Sequence, residues 1–129
     1  MPEFLSATWI DEFADAVAGI AVAADHPIGA VRFVVDGSGA DFRFVVEPPA
    51  VRIEHGRDPL AAVPETVVRC DAETAAAVAL GTTNAQTRLA AGRLRLAGDV
   101  RALGALAALG PAVSAATADL RARTRYPTP

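Results

Sequence analysis

Hydrophobic residues change period along the chain, and each change marks an element. From Ser6 to about Ala24, Trp9, Ile10, Phe13, Val17 and Ile20 recur at helical spacing, while Asp11, Glu12 and Asp15 fall elsewhere. This predicts an amphipathic helix whose acidic residues suit the positive end of its dipole, ended by His26, Pro27 and Gly29. The period then becomes two. Val31, Phe33 and Val35 alternate with Arg32, Val34 and Asp36; beyond Gly37, Ser38 and Gly39, Phe42, Phe44 and Val46 alternate with Asp41, Arg43, Val45 and Glu47. That pattern is a hairpin with a glycine-rich turn. Pro48 and Pro49 break it, Val51 and Ile53 start a third strand, Thr66 to Cys70 form a fourth with Val68 and Cys70 on one face, and Arg93 to Leu96 form a fifth. The predicted strands lie near residues 30–36, 41–47, 50–55, 66–70 and 93–97.

Between and after the last strands the signals are helical. Asp71 is placed to cap a helix from Ala72 to Leu80 that Gly81 stops. Thr83 to Gln86 has the form of a capping box, opening a short helix with Leu89 on its buried side and Gly92 as left-handed terminator. Gly98 and Asp99 turn the chain into a helix lined on one side by Leu103, Leu106 and Leu109, and a last helix is expected from Pro111 to about Arg123, followed by a tail over 124–129. Each strand pairs an apolar face with one carrying arginines, which means an antiparallel or mixed sheet with one buried face. Helices must cover that face, giving an α+β fold.

The length of 129 residues suits one domain spanning 1–129. Twelve basic residues, all arginine, stand against 15 acidic ones for a net charge of −3, so nucleic acid is not an expected partner. Arginine in place of every lysine, with abundant alanine, points to a GC-rich bacterial genome. Cys70 is the only cysteine, which excludes an intramolecular disulfide and any multi-cysteine metal site and fits a reducing cytoplasm. No apolar run reaches membrane-spanning length, and Glu3 and Asp11 stand where a secretory leader would be basic.

Candidate chemistry is sparse. His26 and His55 sit at a turn and a strand end, Cys70 lies on an apolar strand face, and Asp71 and Asp99 precede helices as caps. No nucleophile with an adjacent base, no paired carboxylates and no metal-ligand spacing is present, so neither catalysis nor a cofactor is expected. On the arginine-bearing face Val34, Val45 and Val67 lie among the charges, which leaves open a surface for self-association or for docking an enzyme. What remains is binding by an apolar interior.

The run from Ala91 to Val100, Ala-Gly-Arg-Leu-Arg-Leu-Ala-Gly-Asp-Val, resembles the signature of sterol-carrier-protein-2 domains, a glycine-strand-glycine-aspartate segment before an apolar helix. Gly92, Leu94, Leu96, Gly98 and Asp99 match its positions, and the preceding strands and helix come in that family's order over roughly residues 6–115; Thr83 to Gln86 stands where many members carry Asp-Pro. The resemblance implies a five-stranded, mainly antiparallel sheet covered by helices, no catalytic residues, and a tunnel that accepts a fatty acid, acyl-CoA or sterol-like ligand. The expected lining is Phe33, Val35, Phe42, Phe44, Val46, Ile53, Val68, Leu94 and Leu96, roofed by Leu103, Leu106 and Leu109. Periodicity does not separate a lined tunnel from a filled core.

Overall fold

A computed structural model describes residues 2–58, 63–80 and 85–126. The strands are β1 (Gly29–Asp36), β2 (Ala40–Glu47), β3 (Ala50–His55), β4 (Glu65–Asp71) and β5 (Leu94–Gly98), ordered β3-β2-β1-β4-β5 in one sheet. All pairings are antiparallel except β1 with β4, because the connection leaving β3 crosses two strands before the chain re-enters the sheet. The hairpin register sets Phe33 opposite Phe42 and Val31 opposite Phe44, so all three phenylalanines share the helix-covered face, as alternation predicts. Gly37 and Gly39 take φ of 86° and 75° in the turn, and Ser38 donates its hydroxyl to the Val35 carbonyl while accepting from the Ala40 amide.

The helices are α1 (Ala7–Val17), α2 (Ala72–Leu80), α3 (Ala85–Ala90), α4 (Arg101–Ala107), α5 (Gly110–Ala116) and α6 (Ala118–Arg123). Two of them differ from the periodicity. The first helix stops at Val17 rather than near Ala24: Ala21 bridges Ala50, the Val22 amide donates to the Pro49 carbonyl, and Val22 reaches the core from extended backbone. The carboxyl-terminal helix is two helices broken at Thr117, whose hydroxyl bonds back to the Val113 carbonyl at 2.8 Å and competes with the regular ladder. Residues 124–126 are no loose tail, since Arg125 forms a parallel bridge with Glu3 and hydrogen bonds to Pro2 and Phe4. Gly81 and the residues Thr83 and Asn84 of the expected capping box lie outside the described residues.

Two of the expected caps are in place, whereas α4 has Val100 rather than Asp99 as its N-cap and no side-chain cap bond, Asp99 accepting, of the backbone amides, only that of Arg101. Asp71 accepts the Thr74 amide at 2.7 Å. Gly92, at φ 76°, ends α3 with its amide on the Leu89 carbonyl and that of Arg93 on Arg88, a Schellman arrangement. Leu89, expected on the buried side, is 42% exposed. Gly98 holds φ 87°, and a side chain there would run into the Glu65 carbonyl.

Glycine also lets α4 settle on the sheet: a Cβ at Gly29 would lie 2.7 Å from Ala102 Cα. Ala102 and Ala105, both fully buried, therefore make the close contact of α4 with the strands, while Leu103 and Leu106 project to the side and stay half-buried.

On the opposite sheet face several charges are paired. Arg32 grips Asp41 bidentately, Arg52 bridges Glu47 and Glu54, and Arg43, only 3% exposed, bonds Glu65 at 2.6 Å and the carbonyls of Gly56 and Asp58. Arg43 thus ties the start of the β3–β4 connection across this face. Val45 is wholly buried and Val34 and Val67 are half-buried, which removes Val45 from the docking surface expected at these three positions.

An apolar cavity between sheet and helices

Beside the filled core the inner face opens into a cavity of about 590 Å³. Its floor is sheet: Phe33, Val35 and Phe42 from the hairpin, Val68 and Cys70 from β4, Leu94 and Leu96 from β5. Leu103, Leu106 and Ala107 close one side, where α4 is held down by its alanines, and Ala75, Val78 and Ala79 of α2 close another. The third wall joins the two ends of the chain: Phe4, Leu5, Trp9 and Phe13 face Thr117, Leu120, Arg121 and Tyr126.

Eight of the twelve expected lining residues thus border this space. The others lie elsewhere: Phe44, Val46 and Leu109 form a packed cluster with Val17, Val22 and Val51, and Ile53 packs against it beneath α1. The difference follows from the position of α1, which covers the β2–β3 end of the sheet and leaves the β4–β5 end to shorter, alanine-rich helices.

Sequence reasoning missed the terminal wall. The five phenylalanines, Trp9 and Tyr126 make one connected aromatic group, running from Tyr126 through Phe4, Trp9 and Phe13 to Phe42, Phe33 and Phe44. Trp9 stacks on Phe13 with ring centres 5.0 Å apart and donates its indole N–H to the Thr124 hydroxyl at 3.1 Å, which fixes α1 against the end of α6. The available signal was that the aromatic residues outside the strands cluster in the first thirteen residues and at Tyr126. Leu5, at φ 67°, adopts a left-handed conformation that costs about 1–2 kcal/mol and places its side chain in the same buried cluster.

Polar chemistry lies mostly outside this space. His26 hydrogen-bonds the Ala105 carbonyl through Nε2 at 3.0 Å, a structural tie from the β1 approach to α4. His55 borders a separate concavity of about 510 Å³ with Asp11, Asp41, Glu54 and Asp58. Among the described residues no group of His, Cys, Asp or Glu is arranged to hold a metal ion. Cys70 lines the cavity, and burial pushes its thiol pKa up, away from the thiolate that nucleophilic chemistry needs. Asp99, held by Arg101 and its amide, has its pKa lowered to about 2 and turns the chain into α4. Among the described residues no helix is long and apolar enough to cross a membrane.

This arrangement defines an α+β domain with an apolar cavity between a five-stranded sheet and its helices. No family model and no curated protein matches the chain by sequence. Solved structures match it by shape. Sterol carrier protein 2 from Yarrowia lipolytica, in its apo form, superposes with a TM-score of 0.53 over 81% of this chain and 96% of its own, at 15% identity. Sterol carrier protein 2 like 2 from Aedes aegypti gives 0.50 over 79% and 93%, at 16% identity. A double mutant of the sec-alkyl sulfatase PisA1 gives 0.54 over 74% of this chain at 18% identity, and the chain spans 14% of that enzyme's length. The resemblance borne by Gly92 to Asp99 therefore holds for the architecture: the chain has the sterol carrier protein 2 fold.

Proposed function

We propose that the protein is a non-catalytic lipid-binding domain, holding a fatty acid, acyl-CoA or sterol-like molecule in the apolar cavity. The observation that carries this reading is the cavity itself, since a space of about 590 Å³ walled by side chains such as Phe33, Leu94, Leu103 and Leu106 is unusual for an interior that otherwise packs tightly. At about 30 Å³ per water-sized volume the space accommodates on the order of 20 heavy atoms, the scale of a long acyl chain. Ten methylenes buried there contribute about 8 kcal/mol gross. That supports micromolar affinity where ordering costs are small. Rigid walls keep that cost down, and the terminal wall is pinned by Trp9 and the Arg125 bridge.

The fold of the two sterol carrier proteins supports the same reading, and the cytoplasm is the compartment that suits a chain with one buried thiol. The sulfatase comparison shows that the fold also occurs as a small part of a larger enzyme chain, so a carrier acting beside an enzyme is compatible with this reading. Native mass spectrometry of the purified protein, with titration of a fluorescent fatty acid and a fluorescent sterol followed by Trp9 emission, tests it. Saturable binding that quenches Trp9 is expected. Absence of both co-purified lipid and probe binding overturns it.

A further inference from the structure

We propose that the cavity is built for an amphiphile with an anionic oxygen head group, carboxylate or sulfate, received by Arg121 and Tyr126 while the hydrocarbon chain runs along the sheet. This rests on the lipid-binding reading and adds a polarity to it. The cavity's wall is hydrocarbon almost throughout, and its charged contribution among the described residues is Arg121, beside Thr117 and Tyr126 where α6 meets the amino-terminal segment. Polarity concentrated at one end of an apolar space is the complement of an amphiphile.

Arg121 shares with Arg69, Arg88, Arg95 and Arg125 the lack of a carboxylate partner among the described residues, and of these five it is the one that lines the cavity. Arg32, Arg43, Arg52, Arg93, Arg101 and Arg123 each have a carboxylate partner. Among the described residues no carboxylate pairs with Arg121: its Nη1 donates to the Ser114 carbonyl at 3.0 Å and to the Thr117 hydroxyl at 2.8 Å. These two bonds hold the guanidinium in place and leave its Nε and Nη2 N–H groups uncommitted among the described residues. A guanidinium offers two parallel N–H bonds to an anionic oxygen pair, the geometry that carboxylate and sulfate share. Nearby, the Tyr126 hydroxyl is buried and makes no hydrogen bond of normal geometry among the described residues. A buried donor without an acceptor is costly, and a head-group oxygen removes that cost. Desolvation pushes the Tyr126 pKa up, opposed by Arg121 and by Thr124 at the loose edge of hydrogen-bonding range, so the phenol keeps its proton and remains a donor.

The test compares chain-matched ligands by calorimetry on the intact protein: decanoate, decyl sulfate below its micelle concentration, and decanol. The wild type is expected to bind one or both anions about tenfold more tightly than decanol, the gain of one charge-assisted contact. The preferred anion identifies the head group. Arg121→Met should bring anion affinity down to that of decanol while leaving decanol within about twofold. Tyr126→Phe, which deletes only that hydroxyl, should lower anion affinity several-fold and serves where Arg121→Met does not fold. Equal affinity for decanol and both anions, or parallel weakening of all three in the variants, overturns the head-group assignment and leaves the lipid-binding reading intact. Binding of none of the three overturns both.

Discussion

Replacing Leu106 and Leu109 by alanine in parallel compares two leucines one helical turn apart with different surroundings. Leu109 is 8% exposed and packs with Val17, Phe44 and Val46 in the filled part of the core. Leu106 is half-buried and borders the 590 Å³ cavity. Each change removes three carbons, worth about 2.4 kcal/mol of transfer energy when fully buried. At position 109 a new void adds to that, so the cost should reach about 3–4 kcal/mol. At position 106 the space already exists and part of the side chain already meets it, which leaves about 1–1.5 kcal/mol. The difference of about 2 kcal/mol corresponds to roughly 8 °C in melting temperature for a domain of this size. Leu106→Trp completes the set. Its six additional heavy atoms need about 180 Å³ at roughly 30 Å³ each, about a third of the cavity, so the variant should melt within a few degrees of the parent and exclude a fluorescent fatty acid. In a filled site the same bulk would cost about 1–3 kcal/mol. Urea unfolding, thermal melts and probe titration on the three variants measure these quantities. Equal destabilisation by the two alanines, or a Trp variant that melts far below the parent and still binds the probe, would refute the reasoning.

Arg43→Met should destabilise by about 3 kcal/mol in urea unfolding, at the low end for a broken buried pair because Glu54 and Glu65 keep partial contact with water; an unchanged midpoint contradicts this. The Thr74 amide bond, with help from Arg93, holds the Asp71 pKa below its ordinary 3.8. The stabilisation is therefore complete above that value and is lost as pH falls through the lower folded pKa. Asp71→Ala should cost about 0.5–2 kcal/mol at neutral pH and flatten the acid limb of a stability-against-pH curve, whereas a parallel shift at all pH values would show that the cap's charge is not involved. Cys70, 8% exposed with a raised pKa, should react slowly with a charged disulfide reagent and faster with an apolar maleimide, and bound fatty acid should slow the maleimide; protection by ligand is the decisive result, read by mass spectrometry.

Strand positions were legible because alternation, turn glycines and prolines act locally: the predicted strands agree with the observed ones to within a residue. Errors arose where a distant partner decided the outcome. Ile20 keeps helical spacing, yet the segment after Val17 unwinds because the β2–β3 turn offers Ala50 and the Pro49 carbonyl as partners. Along α4 the leucines carry the hydrophobic signal, but the residues that touch the sheet are Ala102 and Ala105, since only a small side chain fits above Gly29. Alanine registers weakly in a hydrophobic pattern and strongly in geometry. Most of the cavity floor was readable from period two, whereas the aromatic wall was not, because pairing of Trp9 with Thr124 spans 115 residues.

That pairing has a consequence for synthesis. Phe4, Leu5 and Trp9 emerge from the ribosome long before their partners Leu120, Thr124 and Tyr126, Trp9 preceding Thr124 by 115 residues. The sheet can form while the chain is still being made, but the lipid-sized space lacks a wall until residue 126 is free. A nascent chain therefore leaves Trp9, Phe13 and the inner face of the hairpin uncovered until α6 and Tyr126 have been made, and closure of the cavity waits for that wall. Joining residues 2 and 126 by a short linker and opening the chain at the Gly37–Gly39 turn would reverse that order, completing the aromatic wall before the sheet.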